Sequence, residues 1–239
     1  MKHQVKLCNN AAQDSWADLY FSITCALVDT YEMLGKGVVR EAVRKFAAMV
    51  GLARKETLLA AGCKTNLKTF FHGGFGFPCG DRSKREWIRY TEQETFVNVV
   101  SCPYAQRWME RPALGRMFCE EYYPVLVHEG TCEKAQINLG YTMMNERDNY
   151  CRLSIYLRPA NVPMSMRGQC FPEFDPEAKN LPLPDYTPDF ETAKVHLLQS
   201  FIASSEERMD NNCVNLVYST ARAYAQNHGD KVITDLFGE

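Results

Sequence analysis

Three cysteines in the middle third of the 239-residue chain are the residues whose type and position most clearly suggest chemistry. Cys102 closes a predicted strand, Cys119 lies in a predicted helix, and Cys151 opens the next well-patterned strand. Thiols that are distant in sequence but placed at the ends of elements can converge on one point. Convergent thiolates bind a soft metal such as Zn²⁺ or supply a nucleophile. We therefore predict a catalytic or metal-binding site formed by these three cysteines.

Three further residues near Cys119 could move a proton. Glu120 and Glu121 follow it directly, and His128 lies farther along the same predicted helix. In a metal-centred reaction, the three thiolates would hold Zn²⁺ with an open fourth position, and one of the two glutamates would transfer the proton. In a thiol-centred reaction, His128 would instead activate one cysteine as the nucleophile. The competing interpretation is structural, because exposed glutamates solvate a helix face and a histidine near a helix end complements its dipole.

Binding of a small substrate is predicted at two other places. Residues 72–80 contain four glycines and a proline, a composition that excludes a regular helix or a central strand. We expect this loop to border a pocket, with His72 and Phe75 among the lining residues. Arg152 lies on the polar face of the strand that Cys151 opens, where its guanidinium could hold a substrate carboxylate through two hydrogen bonds. Solvation at the surface is the competing interpretation for Arg152.

The elements that must position these residues follow from the periodicity of the sequence. Residues 14–62 are predicted to be helical, with a break at Gly35-Lys36-Gly37 and a left-handed cap at Gly62. A second predicted helix follows two strands and precedes two more. The predicted ranges are 87–91 and 95–101 for the first two strands, 114–128 for the helix, with Pro124 kinking or ending it, and 135–144 and 151–158 for the last two strands. This ββαββ order after N-terminal helices predicts an α+β fold with an antiparallel sheet of about four strands.

The distribution of prolines divides the chain into three parts. Residues 159–188 hold seven of the eleven prolines and few periodic residues, which predicts a long loop or an embracing arm. We therefore predict a core domain of residues 1–158, a proline-rich arm of residues 159–188 and a C-terminal helical extension of residues 189–239. Two helices are predicted in that extension, over residues 190–209 and 213–228, the second closed by Gly229.

Composition excludes several classes of protein. A formal net charge of -2 argues against a nucleic-acid partner, and no window of 18 apolar residues free of charge predicts a membrane span. Ten cysteines without an apolar N-terminal signal segment indicate a reducing, cytoplasmic location. A small-molecule substrate is the expected partner, and a homo-oligomer is compatible with the sequence. Five cysteines are expected to be ordinary small core residues: Cys8, Cys25, Cys63, Cys170 and Cys213.

Four stretches between about residue 34 and residue 158 carry a resemblance to a known family. They are residues 34–46, Val99-Val100-Ser101-Cys102-Pro103-Tyr104-Ala105, Met117-Phe118-Cys119-Glu120-Glu121 and Asn149-Tyr150-Cys151-Arg152-Leu153. With these stretches and this order of elements, the chain resembles the L-2-amino-thiazoline-4-carboxylic acid hydrolase family. The resemblance implies that a small cyclic amidine is opened: water adds to an electrophilic C=N carbon, and a thiolate or an amine then leaves.

A fainter similarity extends to vinyl-reductase-like and phenol-sensor domains of the TRAPP-like α+β fold, which bind small ligands and hold zinc through spaced cysteines. In such domains a further cysteine precedes the last one, whereas this sequence has Met143 and Met144 in that region. The leading hypothesis is a hydrolase that opens a C–N or C–S bond of a small cyclic substrate, one that bears a carboxylate. The alternative is a non-catalytic small-molecule or metal-sensing module on the same fold, and a redox or haem-associated protein is a third interpretation.

Overall fold

A computed structural model describes residues 10–72, 82–132, 134–145, 147–184 and 189–238. Helices open and close the chain, and the strands lie between them, which confirms the predicted α+β fold. The elements are α1 (Asn10–Ala60), α2 (Leu67–Phe70), β1 (Lys84–Tyr90), β2 (Glu94–Ser101), α3 (Pro103–Trp108), α4 (Pro112–Gly130), β3 (Gln136–Leu139), β4 (Cys151–Tyr156), α5 (Met164–Cys170), α6 (Phe190–Arg208), α7 (Asn211–His228) and α8 (Lys231–Leu236). Across these ranges, no helix is both long and apolar enough to cross a membrane.

The strands of the described residues form one antiparallel sheet in the order β1-β2-β4-β3. Val97 pairs with Leu153, and both are fully buried, so one face of the sheet belongs to the core. Asn98 pairs with Arg152 on the other face, which is half-exposed. Successive side chains of a strand point to opposite faces, so Cys151 and Arg152 project from opposite sides of the sheet although they are neighbours in sequence.

The chain divides into two compact units. The described residues of Met1–Phe46, Pro103–Glu121 and Pro188–Glu239 form unit 1, and those of Ala47–Cys102 and Tyr122–Thr187 form unit 2. Unit 1 therefore combines the beginning of α1 with the C-terminal helices, whereas unit 2 contains the sheet. The sequence-based boundaries at residues 158 and 188 stay a prediction, and the contacts group the residues differently.

Aromatic side chains fill the core of unit 1. The Trp16 ring lies 5.4 Å from the Phe118 ring, and the Tyr20 ring lies 4.9 Å from the Trp108 ring and 6.2 Å from the Phe201 ring. All five side chains are buried. Two of the polar tips donate hydrogen bonds to the backbone, the Tyr20 hydroxyl to the Leu114 carbonyl and the Trp108 indole N–H to the Ala17 carbonyl, each at 3.0 Å.

A break in α1 lies at Glu32, three residues before the predicted one at Gly35-Lys36-Gly37. Glu32 has φ 47° and ψ -116°, a left-handed conformation that is rare for residues other than glycine. The turn brings Gly35 back against the preceding part of the helix, because a Cβ atom on Gly35 would lie 2.1 Å from the Leu27 carbonyl oxygen. Gly35 is therefore required for close approach, and the change in backbone direction itself occurs at Glu32.

Two further boundaries correct the sequence predictions. Pro124 lies inside α4, which continues to Gly130, so this proline does not end the helix. The segment predicted as a long loop or an embracing arm contains α5, which begins directly after Pro163, and a 3-10 turn over Pro172–Phe174. Proline is tolerated where a helix begins. Backbone N–H groups in the first turn have no acceptor within the helix, so the missing N–H of proline costs no helical hydrogen bond there. A high proline content therefore did not exclude a helix here.

Two helices end at left-handed glycines, and a short helix, α8, follows the second of them. Gly62 and Gly229 adopt φ 69° and 62°, as predicted for left-handed caps at helix ends. Helix α8 follows Gly229 and was not predicted, since six residues are too few to show a helical period. Its start is nevertheless marked in the sequence by Asp230, whose side chain accepts a hydrogen bond from the Ile233 N–H at 3.3 Å.

Candidate functional site

Cys151 is a half-buried thiol in unit 2. It lies on the core face of the sheet, where its Sγ accepts a hydrogen bond from the Met143 N–H at 3.3 Å and donates to the Thr142 hydroxyl at 3.8 Å. Burial raises the pKa of the Cys151 thiol above its usual value, although its hydrogen bonds with Met143 and Thr142 act in the opposite direction. A thiol with a raised pKa carries little thiolate at neutral pH and is a poor nucleophile.

The other two predicted site cysteines are half-buried and form no disulfide. Cys102 directly follows β2 in unit 2, and Cys119 lies in the part of α4 that belongs to unit 1. Over all described residues, no group of three or more His, Cys, Asp or Glu side chains could hold a metal ion. Cys102, Cys119 and Cys151 are among those residues and form no such group. The zinc centre stays a prediction from the sequence.

The two glutamates proposed to transfer protons are both engaged in ion pairs. Glu121 is buried in unit 1, where its carboxylate accepts hydrogen bonds from Arg40 and, at 2.6 Å, from Arg44 of α1. Glu120 is more exposed and pairs with Arg116, one turn earlier in α4, at 2.6 Å. These contacts support the structural interpretation of both residues, which link or stabilise helices.

The histidines also make backbone contacts that do not indicate catalysis. His128 donates its Nε2 hydrogen to the Ala135 carbonyl at 2.6 Å, since a carbonyl oxygen can only accept. This bond ties the end of α4 to the residue before β3. His72 is exposed, and its carbonyl accepts a hydrogen bond from Arg54 at 2.6 Å. Phe75, the other predicted pocket residue, lies outside the described residues.

The Arg152 side chain contacts one hydrogen-bond acceptor and two aromatic rings. Its Nε donates to the Asn98 side-chain oxygen at 3.1 Å. The guanidinium carbon lies 5.4 Å from the centre of the Tyr141 ring and 5.3 Å from that of the Tyr150 ring. The two rings are themselves 5.3 Å apart. A cation within about 6 Å of a ring centre is attracted by the ring electrons, so the two tyrosines hold the guanidinium in place.

Strand register explains how these residues meet. Asn98 lies directly opposite Arg152 in the pairing of β2 with β4. On the other side of β4, the Gly140 N–H donates to the Arg152 carbonyl at 3.0 Å, and the Arg152 N–H donates to the Tyr141 carbonyl at 3.1 Å. Gly140 and Tyr141, the two residues that follow β3, thus both pair with Arg152 of β4. This β-bulge places Tyr141 beside the guanidinium. Tyr150 immediately precedes β4.

Open space lies beside Gly140, whose N–H donates to the Arg152 carbonyl. A Cβ atom on Gly140, which continues β3 opposite Arg152, would meet no other atom within 4 Å. The hydrogen bond to Asn98 uses Nε and leaves the two terminal amino groups of the guanidinium available. Within the described parts of the chain, Arg152 forms no ion pair, since the salt bridges there involve other arginines and lysines. We call this group of residues, Asn98, Gly140, Tyr141, Tyr150 and Arg152, the arginine site.

Sequence reasoning identified only one member of the arginine site. The alternation of β4 places Arg152 on a polar face, which the sequence alone reveals. Asn98, Tyr141 and Tyr150 could not be assigned to it, because their positions depend on which strands pair and in which register. The exposed Tyr141 ring, at 44%, carries no distinctive sequence signal either.

A cleft of about 520 Å³ in unit 1 is a weaker candidate because its charged groups already satisfy one another. Lys194 lies 2.5 Å from both Asp230 and Glu191. Ser15 donates to Asp230 at 2.7 Å, and Tyr224 donates to Ser15 at 2.9 Å. Asp230 accepts the Ser15 hydrogen while it is paired with a protonated lysine, so Ser15 has no strong base to activate it. The network joins α1, α6, α7 and α8.

Comparison of the chain with protein-family models, with curated proteins and with solved structures found no match. The resemblance to the thiazoline hydrolase family and the fainter similarity to TRAPP-like domains therefore stay predictions.

Proposed function

We propose that the protein is a small-molecule-binding module whose ligand carries a carboxylate and is held by Arg152 at the arginine site. One observation carries this proposal: the guanidinium is fixed through Nε by Asn98, is flanked by two tyrosine rings and forms no ion pair with a described residue. A guanidinium presents pairs of N–H groups with the spacing of carboxylate oxygens, so it binds a carboxylate through two parallel hydrogen bonds.

The surroundings of Arg152 also favour binding energetically. An arginine side chain ordinarily loses rotamer freedom when it binds an anion, and that entropy cost reduces affinity. Here Asn98, Tyr141 and Tyr150 restrict the side chain before a ligand arrives. The space beside Gly140 and the exposed Tyr141 ring suit a flat ligand, because a planar group can stack on the ring while its carboxylate contacts Arg152.

The position of Cys151 favours binding over hydrolysis at this site. Its Sγ lies on the core face, whereas Arg152 projects from the other face, so a ligand at the arginine site is separated from this thiol by the sheet. We therefore favour the binding module over the cyclic-amidine hydrolase. The hydrolase with Cys102, Cys119 or Cys151 as its reactive group stays a prediction from the resemblance.

Ligand binding can be tested with small planar carboxylates, using 2-amino-thiazoline-4-carboxylate and benzoate as probes and their methyl esters as neutral controls. We expect saturable chemical-shift changes in a ¹H–¹⁵N NMR titration with the acids and none with the esters. Arg152→Gln should weaken acid binding by about tenfold to a hundredfold, as expected for loss of charged hydrogen bonds. Arg158→Gln is the matched control, since Arg158 is exposed and lies over one ring, that of Tyr156.

A second variant tests whether the ligand uses the open space beside Gly140. Gly140→Leu should block the acids while leaving the Asn98–Arg152 contact and the circular dichroism spectrum unchanged. Equal affinity of the wild type and Arg152→Gln, or binding of esters as tight as that of acids, would contradict the proposal. Release of a thiol from 2-amino-thiazoline-4-carboxylate during the titration would replace the binding module with the hydrolase.

A further inference from the structure

Two half-buried aromatic rings share a face of the sheet with Arg152. Phe96 of β2 and Tyr156 of β4 are each preceded and followed by buried residues, so both rings project from the face opposite the core. Arg152 projects from this same face, which we call the outer face. Because β2 and β4 pair directly in the middle of the sheet, the two rings lie near its centre and not at an edge. The outer face therefore carries an aromatic pair in addition to the arginine site.

The aromatic pair is held in a defined arrangement. The centres of the Phe96 and Tyr156 rings are 5.3 Å apart, and the ring planes are inclined by 66°, which is a favourable edge-to-face contact. The Arg89 guanidinium lies 6.0 Å from the centre of the Phe96 ring, and Arg89 is itself paired with Glu94 at 2.5 Å. These neighbours restrict the Phe96 side chain before a ligand arrives, so little rotamer entropy is lost when an apolar group packs against it.

Strand register places the aromatic pair close to the arginine site. Phe96 lies opposite Ser154, and Ser154 follows Arg152 by two residues in β4, a separation of about 7 Å along the strand. On the other side of β4, Asn138 of β3 lies opposite Ser154. Ser154 has a small side chain and is the outer-face residue between Arg152 and Tyr156. A ligand held by Arg152 can therefore lie over Ser154 and reach the Phe96 ring.

We propose that the ligand of the arginine site is an elongated aryl carboxylate. Its carboxylate binds Arg152, its body lies over Ser154 and its distal ring packs against Phe96. This inference rests on the proposed carboxylate binding and specifies the class of ligand. Phe96 determines specificity for ligand length, because a short acid satisfies Arg152 without reaching the aromatic pair. A second ring adds buried apolar surface and a ring–ring contact, and both favour the longer acid.

Isomeric acids separate ligand length from general hydrophobicity. The para and ortho isomers of biphenylcarboxylate have the same composition and charge, but only the para isomer is extended, and benzoate lacks the second ring. In NMR titrations of the full-length protein, the para isomer should bind about tenfold more tightly than benzoate, whereas the ortho isomer should show no such gain. Intermolecular NOEs are expected between the distal ring of the para isomer and the Phe96 ring.

A substitution at Phe96 tests the assigned contact. Phe96→Ala should remove the advantage of the para isomer and bring its affinity to about that of benzoate. Tyr218→Ala is the matched control, since Tyr218 is an aromatic residue of unit 1 that is 38% exposed. This control variant should keep the advantage of the para isomer. An advantage that persists in Phe96→Ala would overturn the role of Phe96.

The wild-type protein decides the proposal even if Phe96→Ala fails to fold. Tighter binding of the para isomer, with NOEs to Phe96, supports it. Equal affinities of the para isomer and benzoate, or an equal gain with the ortho isomer, would overturn the selection of length and leave carboxylate binding at Arg152 intact. Failure of every acid to bind would overturn both proposals, so the two failures are distinguishable.

Discussion

Glu120 and Glu121 are neighbours in α4 but have different surroundings. The Glu120 side chain is 34% exposed beside Arg116, whereas the Glu121 side chain is 8% exposed between Arg40 and Arg44. An exposed ion pair contributes little to stability, because water and salt screen it. A buried carboxylate needs its partners, since without them its desolvation is not compensated. The role of each glutamate is therefore set by its partners and not by its residue type.

We expect Glu121→Gln to lower the free energy of unfolding by about 1–3 kcal/mol, the range for hydrogen bonds to charged groups. The two arginines are each close to half-exposed, so water can solvate them when the charge is lost, and the effect should stay below that of a fully buried pair. Urea denaturation followed by circular dichroism measures it. Glu120→Gln is the control and should change stability by less than about 1 kcal/mol. Equal losses in the two variants would contradict this assignment.

At the scale of elements, the break in α1 distinguishes two glycines of one short motif. Gly35 lies against the Leu27 carbonyl, but a Cβ atom on Gly37 would meet nothing within 4 Å. A glycine inside a helix is destabilising relative to alanine unless the space is needed. The motif Gly35-Lys36-Gly37 therefore contains one glycine that packing requires and one that it does not.

Alanine substitutions separate these two roles. Gly37→Ala should raise the free energy of unfolding by about 0.5–1 kcal/mol, because alanine restricts the unfolded chain and favours the helix. Gly35→Ala should lower it by more than about 1 kcal/mol, since the new methyl group meets backbone that cannot rotate away. Thermal unfolding of the two variants measures both effects. A stabilised Gly35→Ala protein would show that α1 does not fold back at Glu32.

Asp230 joins several helices of unit 1 and makes their packing depend on pH. Burial acts to raise its pKa, but hydrogen bonds from Lys194 and Ser15 outweigh burial and hold the pKa below the ordinary carboxyl value. A group whose pKa is lower in the folded state contributes stability above its unfolded-state pKa, about 4 for aspartate. That contribution is lost as the pH falls through the lower folded-state value, because the carboxylate is then protonated.

Asp230→Asn should therefore lower stability most above about pH 4, the ordinary carboxyl pKa. The difference between wild type and variant should shrink as the pH falls further. Urea midpoints measured from pH 6 to pH 2 test this dependence. Asp189→Asn is a suitable control, because Asp189 also caps a helix of unit 1 but its contacts are exposed. A difference that is constant across this pH range would contradict the assigned role of the Asp230 charge.

At the scale of the whole molecule, each compact unit is built from stretches that are not consecutive in the sequence. Unit 1 takes residues from the beginning, the middle and the end of the chain. Its C-terminal helices contribute fully buried side chains, among them Leu197 and Phe201 of α6 and Val217 of α7. Tyr224 of α7 also donates its hydroxyl to the Ser15 carbonyl of α1 at 2.9 Å. The first part of α1 thus shares its core with helices encoded far away.

A fragment of residues 1–188 should keep the residues of unit 2 but lose the packing of what remains of unit 1. It lacks α6, α7 and α8, so the apolar residues of unit 1 that pack on those helices become exposed, and fully burying each such side chain contributes about 1.5–3 kcal/mol. Binding of a hydrophobic dye by the fragment, and not by the full-length chain, is the expected result. A fragment that binds no more dye than the full-length chain would instead support the sequence-based boundary at residue 188.

The sequence by itself determined the four strands and the long helices, whereas the short helices α5 and α8 were not predicted. The alternation from Cys151 to Tyr156 predicted a half-buried strand, and Gly62 and Gly229 predicted helix ends, because periodicity and left-handed glycines are local properties. Only the tertiary structure decided which side chains become neighbours. Asn98 lies beside Arg152 because of strand register, and Tyr224 lies beside Ser15 because of helix packing, and both contacts join residues far apart in the chain. The residue type limits the chemistry that a side chain can perform. The role of that side chain depends on its spatial neighbours, which the local sequence does not specify.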